Sequence, residues 1–367
     1  MGEGDNQGGD RCRTDVIKEI SVFEEKGFGA VLEDTRTKRL STQDIAALSE
    51  FVRDASIAWV DYVVEDFDKE GVNVANSLGF SEILLKSLIR DPAGGYEDLD
   101  VEMGVLLPAI YMEGFEVKID PLVILIREGL ILTLHSKEVK RFFRVRRYAE
   151  TLLRKIPQRM PLKDRMTLLL IRIIDENNSR NFDYLRGIEA KGDELSKELA
   201  DPKVSRSTVG KSIYEMKHAL IVYLGGLWAS VDTLNALRYG DAELITDNSK
   251  ILNRINTLVS EVNSHIGLAE HLSEVLASGL EVLQSIYNNQ LQILNNRMAM
   301  LVAYLTIIGT ALLVPNTIAT VLSSSSFELT SRDTTWYIAL ILASTVVSTY
   351  VAWWAVRSLG LLPKSPE

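Results

Sequence analysis

The chain has a single cysteine, Cys12, and only four histidines among 367 residues. A lone thiol excludes an intrachain disulfide framework, a cysteine-built zinc site and paired-thiol redox chemistry, and points to a reducing compartment. The histidines, His135, His218, His265 and His271, are too few and scattered for a His-rich metal centre. His265 and His271 stand six apart, not at the i,i+4 spacing that sets two ligands side by side. Positive charge is also short: 40 Lys+Arg face 50 Asp+Glu, a formal net charge of -10. Nucleic-acid binding relies on clustered Lys and Arg to neutralise phosphates, so no nucleic-acid partner is expected. The one basic cluster, residues 137–147 (KEVKRFFRVRR), reads as a solvated helix face. Residues 1–14 are Gly- and Asp-rich with no apolar core of an export signal, and residues 1–40 read as a flexible leader. No nucleophile, acid–base pair, metal cluster or phosphate-binding glycine loop stands out, so an enzyme is not expected.

The most informative absence is charge at the end of the chain. Residues 298–327 carry none, nor do residues 334–356, with Glu328, Arg332 and Asp333 between. Taken as 298–322 and 334–356, the two stretches rise about 37 and 35 Å as helices, enough to cross ~30 Å of hydrocarbon. Trp336, Tyr337, Trp353 and Trp354 mark the ends of the second stretch, where amphipathic rings prefer the headgroup level. The connection is short, so the spans form a hairpin with both ends on one side. Arg297 precedes it and Arg357 and Lys364 follow it, against Arg332 in the connection, which predicts both termini in the cytoplasm.

Upstream, residues 248–294 contain no proline. Ile251, Ile255, Leu258, Val262, Ile266, Ala269, Leu272, Leu276, Leu283 and Ile286 recur there mostly at steps of three and four. That is one apolar stripe on one long helix, and no turn signal separates it from the first span. A single rod of about 75 residues is predicted, about 110 Å long, with a narrow seam suited to packing against other copies. A second apolar-faced helix over 211–237 should lie antiparallel to it. Earlier still, short β-branched runs at 58–64, 105–110, 115–119 and 122–134 read as strands, the last turned at Glu128-Gly129. Helical stretches at 72–89, 137–156 and 162–178 accompany them. The resulting expectation is an α+β cytoplasmic domain over 41–205, a helical stalk over 206–296, a transmembrane hairpin over 297–358 and a cytoplasmic tail over 359–367.

This order of parts resembles the CorA family of magnesium and divalent-cation transporters. Local strings are similar: Asn296-Arg297-Met298, Leu305-Thr306-Ile307-Ile308, Pro315 with Thr317, Phe327-Glu328, Trp59-Val60-Asp61 and the run 130–135. The chain departs from the family at its Gly-Met-Asn signature, which falls on Ser324-Ser325-Ser326, and at the pore-lining Asn and gate Met, which fall on Ala299 and Val302. The acidic residue of the family's inter-subunit regulatory cation site falls near Ser87. The resemblance implies a CorA-like homo-oligomer, a pentamer, in the lipid bilayer of the cell membrane. It also implies magnesium as the transported cargo and no bound cofactor.

Within the first span, Thr306, Thr310, Thr317, Thr320 and Ser324, with Gly309, fall mostly on one helix face, which would line a pore among several copies. Ser325 and Ser326 complete the expected selectivity set. Val302, Leu305 and Leu313 are the candidate hydrophobic gate. Absence of ionisable groups in the spans argues against a proton-coupled pump. Asp241, Glu243, Asp247, Glu261, Glu270, Glu274 and Glu281 read as a solvated acidic face, with Asp247 and Glu261 as weak metal candidates. With the signature replaced by serines, the alternatives are a channel for zinc, cobalt or nickel, or a CorA-like membrane-anchored sensor or scaffold.

Overall fold

The computed structural model describes residues 25–90, 95–114, 116–200, 204–239, 242–324 and 334–358. The sequence-predicted features at Cys12, Asp241, Ser325, Ser326, Phe327-Glu328 and the tail lie outside the described residues. The chain divides into two compact units, Met1–Leu280 and Glu281–Glu367.

The first unit is built on a seven-stranded sheet in the order β2-β1-β3-β7-β6-β5-β4. Its strands are β1 (Gly27–Glu33), β2 (Arg36–Thr42), β3 (Ile57–Val63), β4 (Tyr96–Asp98), β5 (Glu102–Glu113), β6 (Glu116–Arg127) and β7 (Leu130–His135). All neighbours are antiparallel except β3 and β7. The central strands β3 and β7 are buried along their whole length, as strands covered on both faces must be. The short helices α1 (Ile45–Val52), α2 (Val72–Ser77) and α3 (Glu82–Arg90) pack with one face. The helices α4 (Arg141–Arg154), α5 (Leu162–Asn178), α6 (Asn181–Ala200) and α7 (Arg206–Arg238) share the core of the other face.

Three expectations are corrected here. Residues 27–40 are not leader: β1 and β2 pair as a hairpin, and β1 is hydrogen-bonded to β3, burying Phe28, Ala30, Val31 and Leu32. Their apolar stretch is only seven residues long, and it gains its value from strands far away in sequence. Residues 116–119 and 122–126, expected in separate runs, are one strand, β6, which passes through Pro121 directly opposite Pro108 on β5. Neither proline has an N–H to lose at that pair. The helix over 72–89 is two, because Gly79 takes a φ of +84° between α2 and α3.

A fourth correction concerns the basic run. Arg146 and Arg141 are buried rather than solvated. Arg146 Nε donates to the Asp61 carboxylate at 2.6 Å, and His135 Nε2 lies 3.2 Å from the same carboxylate. Thr133 Oγ1 donates to Asp61 as well, and accepts from Trp59 Nε1 at 3.2 Å. Burial alone would push the Asp61 pKa up, but the charges of His135 and Arg146 outweigh it and hold the carboxylate well below its usual range.

The remaining helices are α8 (Ser249–Leu322), 74 residues long as predicted in kind, and α9 (Thr334–Ser358). All of the predicted stripe from Ile251 to Leu283 is buried, and Gly279 reaches the Ile213 side chain of α7, the contact an antiparallel pair makes. One hydrophobic core joins the sheet, α7 and this part of α8, so residues 206–280 belong to the head rather than to a separate stalk. Past Leu283 the helix loses its cover, with Tyr287, Leu291 and Leu294 exposed. Among the described residues three helices are long and apolar enough to cross a membrane: α7, α8 and α9. The apolar window of α7 is half buried, and Gly226 brings that helix close to Ile110 and Ile119, so α7 covers the sheet.

Candidate functional site

The second unit holds the charge-free part of α8 together with α9. The most apolar windows of the two helices reach mean hydropathies of 2.1 and 1.7. In this unit Ala303 and Pro315 of α8 and Ser348, Ala352 and Val356 of α9 are buried. Mostly small or compact side chains at these places let helix backbones approach closely, as membrane helix pairs require. Ile307 shares the wall of a cavity with Thr345, Thr349 and Trp353, which fixes the side of α8 that faces α9.

The hydroxyl residues lie on a different side. At about 100° per residue, Thr306, Thr310, Leu313, Thr317, Thr320 and Ser324 fall within an arc of about 80°, together with Val302. Thr310 is half-buried at the edge of that arc and the others are exposed. Gly309 sits about 60° from Thr306, just beyond the arc. Of the three gate candidates, Val302 and Leu313 share the hydroxyl face, whereas Leu305 lies about 100° away from Thr306. Leu305 is exposed and stands apart from the other two.

Each threonine hydroxyl is oriented by the helix itself. Thr306 donates to the Val302 carbonyl at 2.9 Å, and Thr310, Thr317 and Thr320 donate to the carbonyls of Thr306, Leu313 and Asn316 at 2.8 Å. The proton is thereby committed to the backbone, and the outward lone pairs of each oxygen are left as acceptors. A row of acceptors suits the waters of a hydrated divalent cation, whose hydrogens point outward. Pro315 has no N–H to give to the Ala311 carbonyl, which adds one more free acceptor to this stretch.

Asn316 is a residue that the reading of the span passed over. It is exposed, polar and next to the hydroxyl face. Its signal was an amide in an otherwise apolar stretch. The weak metal candidates are not brought together: Asp247 precedes α8, whereas Glu261 lies about three turns inside it. Asp247 is 85% exposed and pairs with Lys163 at 3.7 Å. Among the described residues no group of three or more His, Cys, Asp or Glu could hold a metal. His265 is buried beside the Phe182 ring, with Nδ1 lacking a partner, and burial lowers its pKa. Glu243, Glu261, Glu270, Glu274 and Glu281 are exposed.

A seven-stranded α/β head, a long helix that enters a charge-free span and a second span behind it define a two-span membrane protein whose spans offer oxygen acceptors and no fixed charge. The profile of the CorA-like Mg2+ transporter protein family matches residues 54–357, and the chain belongs to that family of metal-ion transporters. No curated protein sequence matches the chain. Among solved structures it is similar to the complete CorA magnesium transporter from Methanocaldococcus jannaschii. That match has a TM-score of 0.64 at 19% identity and covers 90% of this chain and 97% of the other. The full-length CmaX protein gives 0.58 at 17% identity, covering 91% and 98%. The cytoplasmic domain of ZntB from Vibrio parahaemolyticus RIMD 2210633 gives 0.52 at 14%, covering 71% and 98%. These likenesses establish the fold.

Proposed function

We propose that copies of this chain, five by likeness to the family, assemble in the cell membrane around the hydroxyl face of α8 and conduct divalent cations, magnesium first among them. The observation that carries the proposal is the line of oriented threonine oxygens on a side of α8 that α9 leaves uncovered. Facing lipid, the outward lone pairs of these four threonines and of Ser324 would have no donor to meet. Around a shared axis the same residues become rings of acceptors that hold a cation through its water shell.

Val302 and Leu313, on the same face, form the apolar constrictions of this pore, and the head changes their spacing to gate it. The exposed apolar side chains of Tyr287, Leu291 and Leu294 offer further surface for subunit contact. The basic residues flanking the spans favour a topology with both termini in the cytoplasm. Ser324, where the family signature begins, favours a mouth with hydroxyl rather than amide oxygens, so zinc, cobalt and nickel belong in the test beside magnesium.

The test is ion flux into liposomes containing the purified protein, across a panel of divalent and monovalent cations. Flux of one or more divalent cations supports the proposal. No flux of any ion from a correctly assembled oligomer leaves a membrane-anchored sensor or scaffold as the better reading.

A further inference from the structure

A chain with net charge -10 nonetheless concentrates positive charge at one place in the head. A cavity of about 820 Å³ opens between the end of β5, the turn after β7, the first turns of α4 and the start of α6. Its walls carry Lys137, Lys140, Arg141, Arg144, Arg147 and Arg180 against only two carboxylates, Glu113 and Glu138. Glu113 is already taken by Lys118 at 2.6 Å, and Arg144 is tied to Glu176 at 2.6 Å. Lys137, Lys140 and Arg180 have no carboxylate within ion-pair distance among the described residues.

Arg141 is the second, independent sign. Its side chain is buried and its guanidinium donates to the backbone carbonyls of Asn177 and Ile110, with no carboxylate within ion-pair distance among the described residues. A cation taken out of water without an ion-pair partner is costly, and burial lowers the Arg141 pKa although the nearby Glu176 opposes the shift. The first turn of α4 also opens on this cavity, and no side chain caps it, so the positive end of the helix adds to the field. Phe143 and Tyr184 supply aromatic walls.

We propose that this cleft binds a polyphosphate anion, the diphosphate or triphosphate chain of a nucleotide or of an inorganic polyphosphate. Three unpaired cations around a fourth buried one match a ligand with three or four negative charges better than a single phosphate or sulfate, and charge-assisted hydrogen bonds to several phosphoryl oxygens add together. The uncomplexed anion fits best, because a bound magnesium ion cancels two of its charges. The inference is independent of ion conduction by the spans.

Calorimetric titration of the full-length protein in detergent tests it, with ATP, tripolyphosphate, orthophosphate and sulfate, each in EDTA and in excess magnesium. Saturable binding of ATP and tripolyphosphate is expected, with orthophosphate and sulfate on the order of tenfold weaker or more, and with weaker binding in magnesium. Tripolyphosphate equal to ATP assigns the binding to the phosphate chain; ATP well ahead of it adds the aromatic walls. Lys140→Ala and Arg180→Ala, both at exposed positions, should each weaken binding on the order of tenfold, while Lys86→Ala on the opposite face of the sheet leaves it unchanged. No saturable binding, equal affinity for sulfate, or affinity unmoved by both variants overturns the proposal.

Discussion

Asp61 and Arg146, 85 residues apart in the chain, form a fully buried ion pair at 2.6 Å, with both side chains at 0% exposure. Removing one partner strands the other charge in the core. Arg146→Met should destabilise the head by about 3–5 kcal/mol, measured by urea unfolding of the full-length protein. A loss under about 1 kcal/mol would show that the carboxylate finds another partner or water.

The same carboxylate gives a pH dependence. Its pKa in the folded protein is depressed below the unfolded value of about 4, so its contribution is present above that value and is lost as pH falls toward the folded one. The stability gap between the natural chain and Asp61→Asn should therefore shrink on going from about pH 5 to pH 3. A gap that stays constant or widens on acidification contradicts the assignment.

Gly27 is a direct probe of the first hairpin. A Cβ there would stand 2.5 Å from the Thr42 carbonyl oxygen of the paired strand and 2.8 Å from Leu48. Backbone cannot swing aside as a side chain does. Gly27→Ala should cost roughly 1–3 kcal/mol by thermal or urea unfolding. A neutral result would return residues 27–33 to the leader.

Thr317 tests the pore. Thr317→Phe should reduce divalent-cation flux into liposomes by about tenfold or more, while Thr317→Ser, which keeps the oxygen, retains most of it. Leu312→Phe, at an exposed position outside the hydroxyl arc, serves as the comparison. Equal flux from Thr317→Phe and the natural chain would remove this face from the conduction path.

Asp164 ties the start of α8 to the head. One carboxylate oxygen accepts from Thr246 Oγ1 and the other from Asn248 Nδ2 at 3.2 Å, while the Thr246 N–H donates to Thr167 at 3.1 Å. Asp164→Ala leaves the buried Thr246 hydroxyl without its acceptor and should cost about 1–3 kcal/mol. Amide hydrogen exchange should locate the loosening at residues 242–252.

Much of this was legible in one dimension. The spans, the long helix, its buried stripe and the 128–129 turn all rest on local periodicity or on missing charge, and those signals survive in any context. The run 137–147 misled because charge in a helix usually faces water. The only hint otherwise was Asp61, a carboxylate inside the apolar strand 57–63. The hairpin at 27–42 escaped notice because a strand of seven residues is stabilised by its neighbours rather than by its own composition.

The sequence by itself determined that this is a membrane protein with an α/β head and no ionisable group in its spans, because hydrocarbon thickness and desolvation cost act on composition and length alone. Only the tertiary structure decided which charges are buried together, that residues 206–280 are part of the head, and that the side of α8 bearing hydroxyls is not the side meeting α9. Those are matters of which distant segments touch, and contact between residues 85 positions apart is set by the packing of the whole sheet rather than by any local pattern.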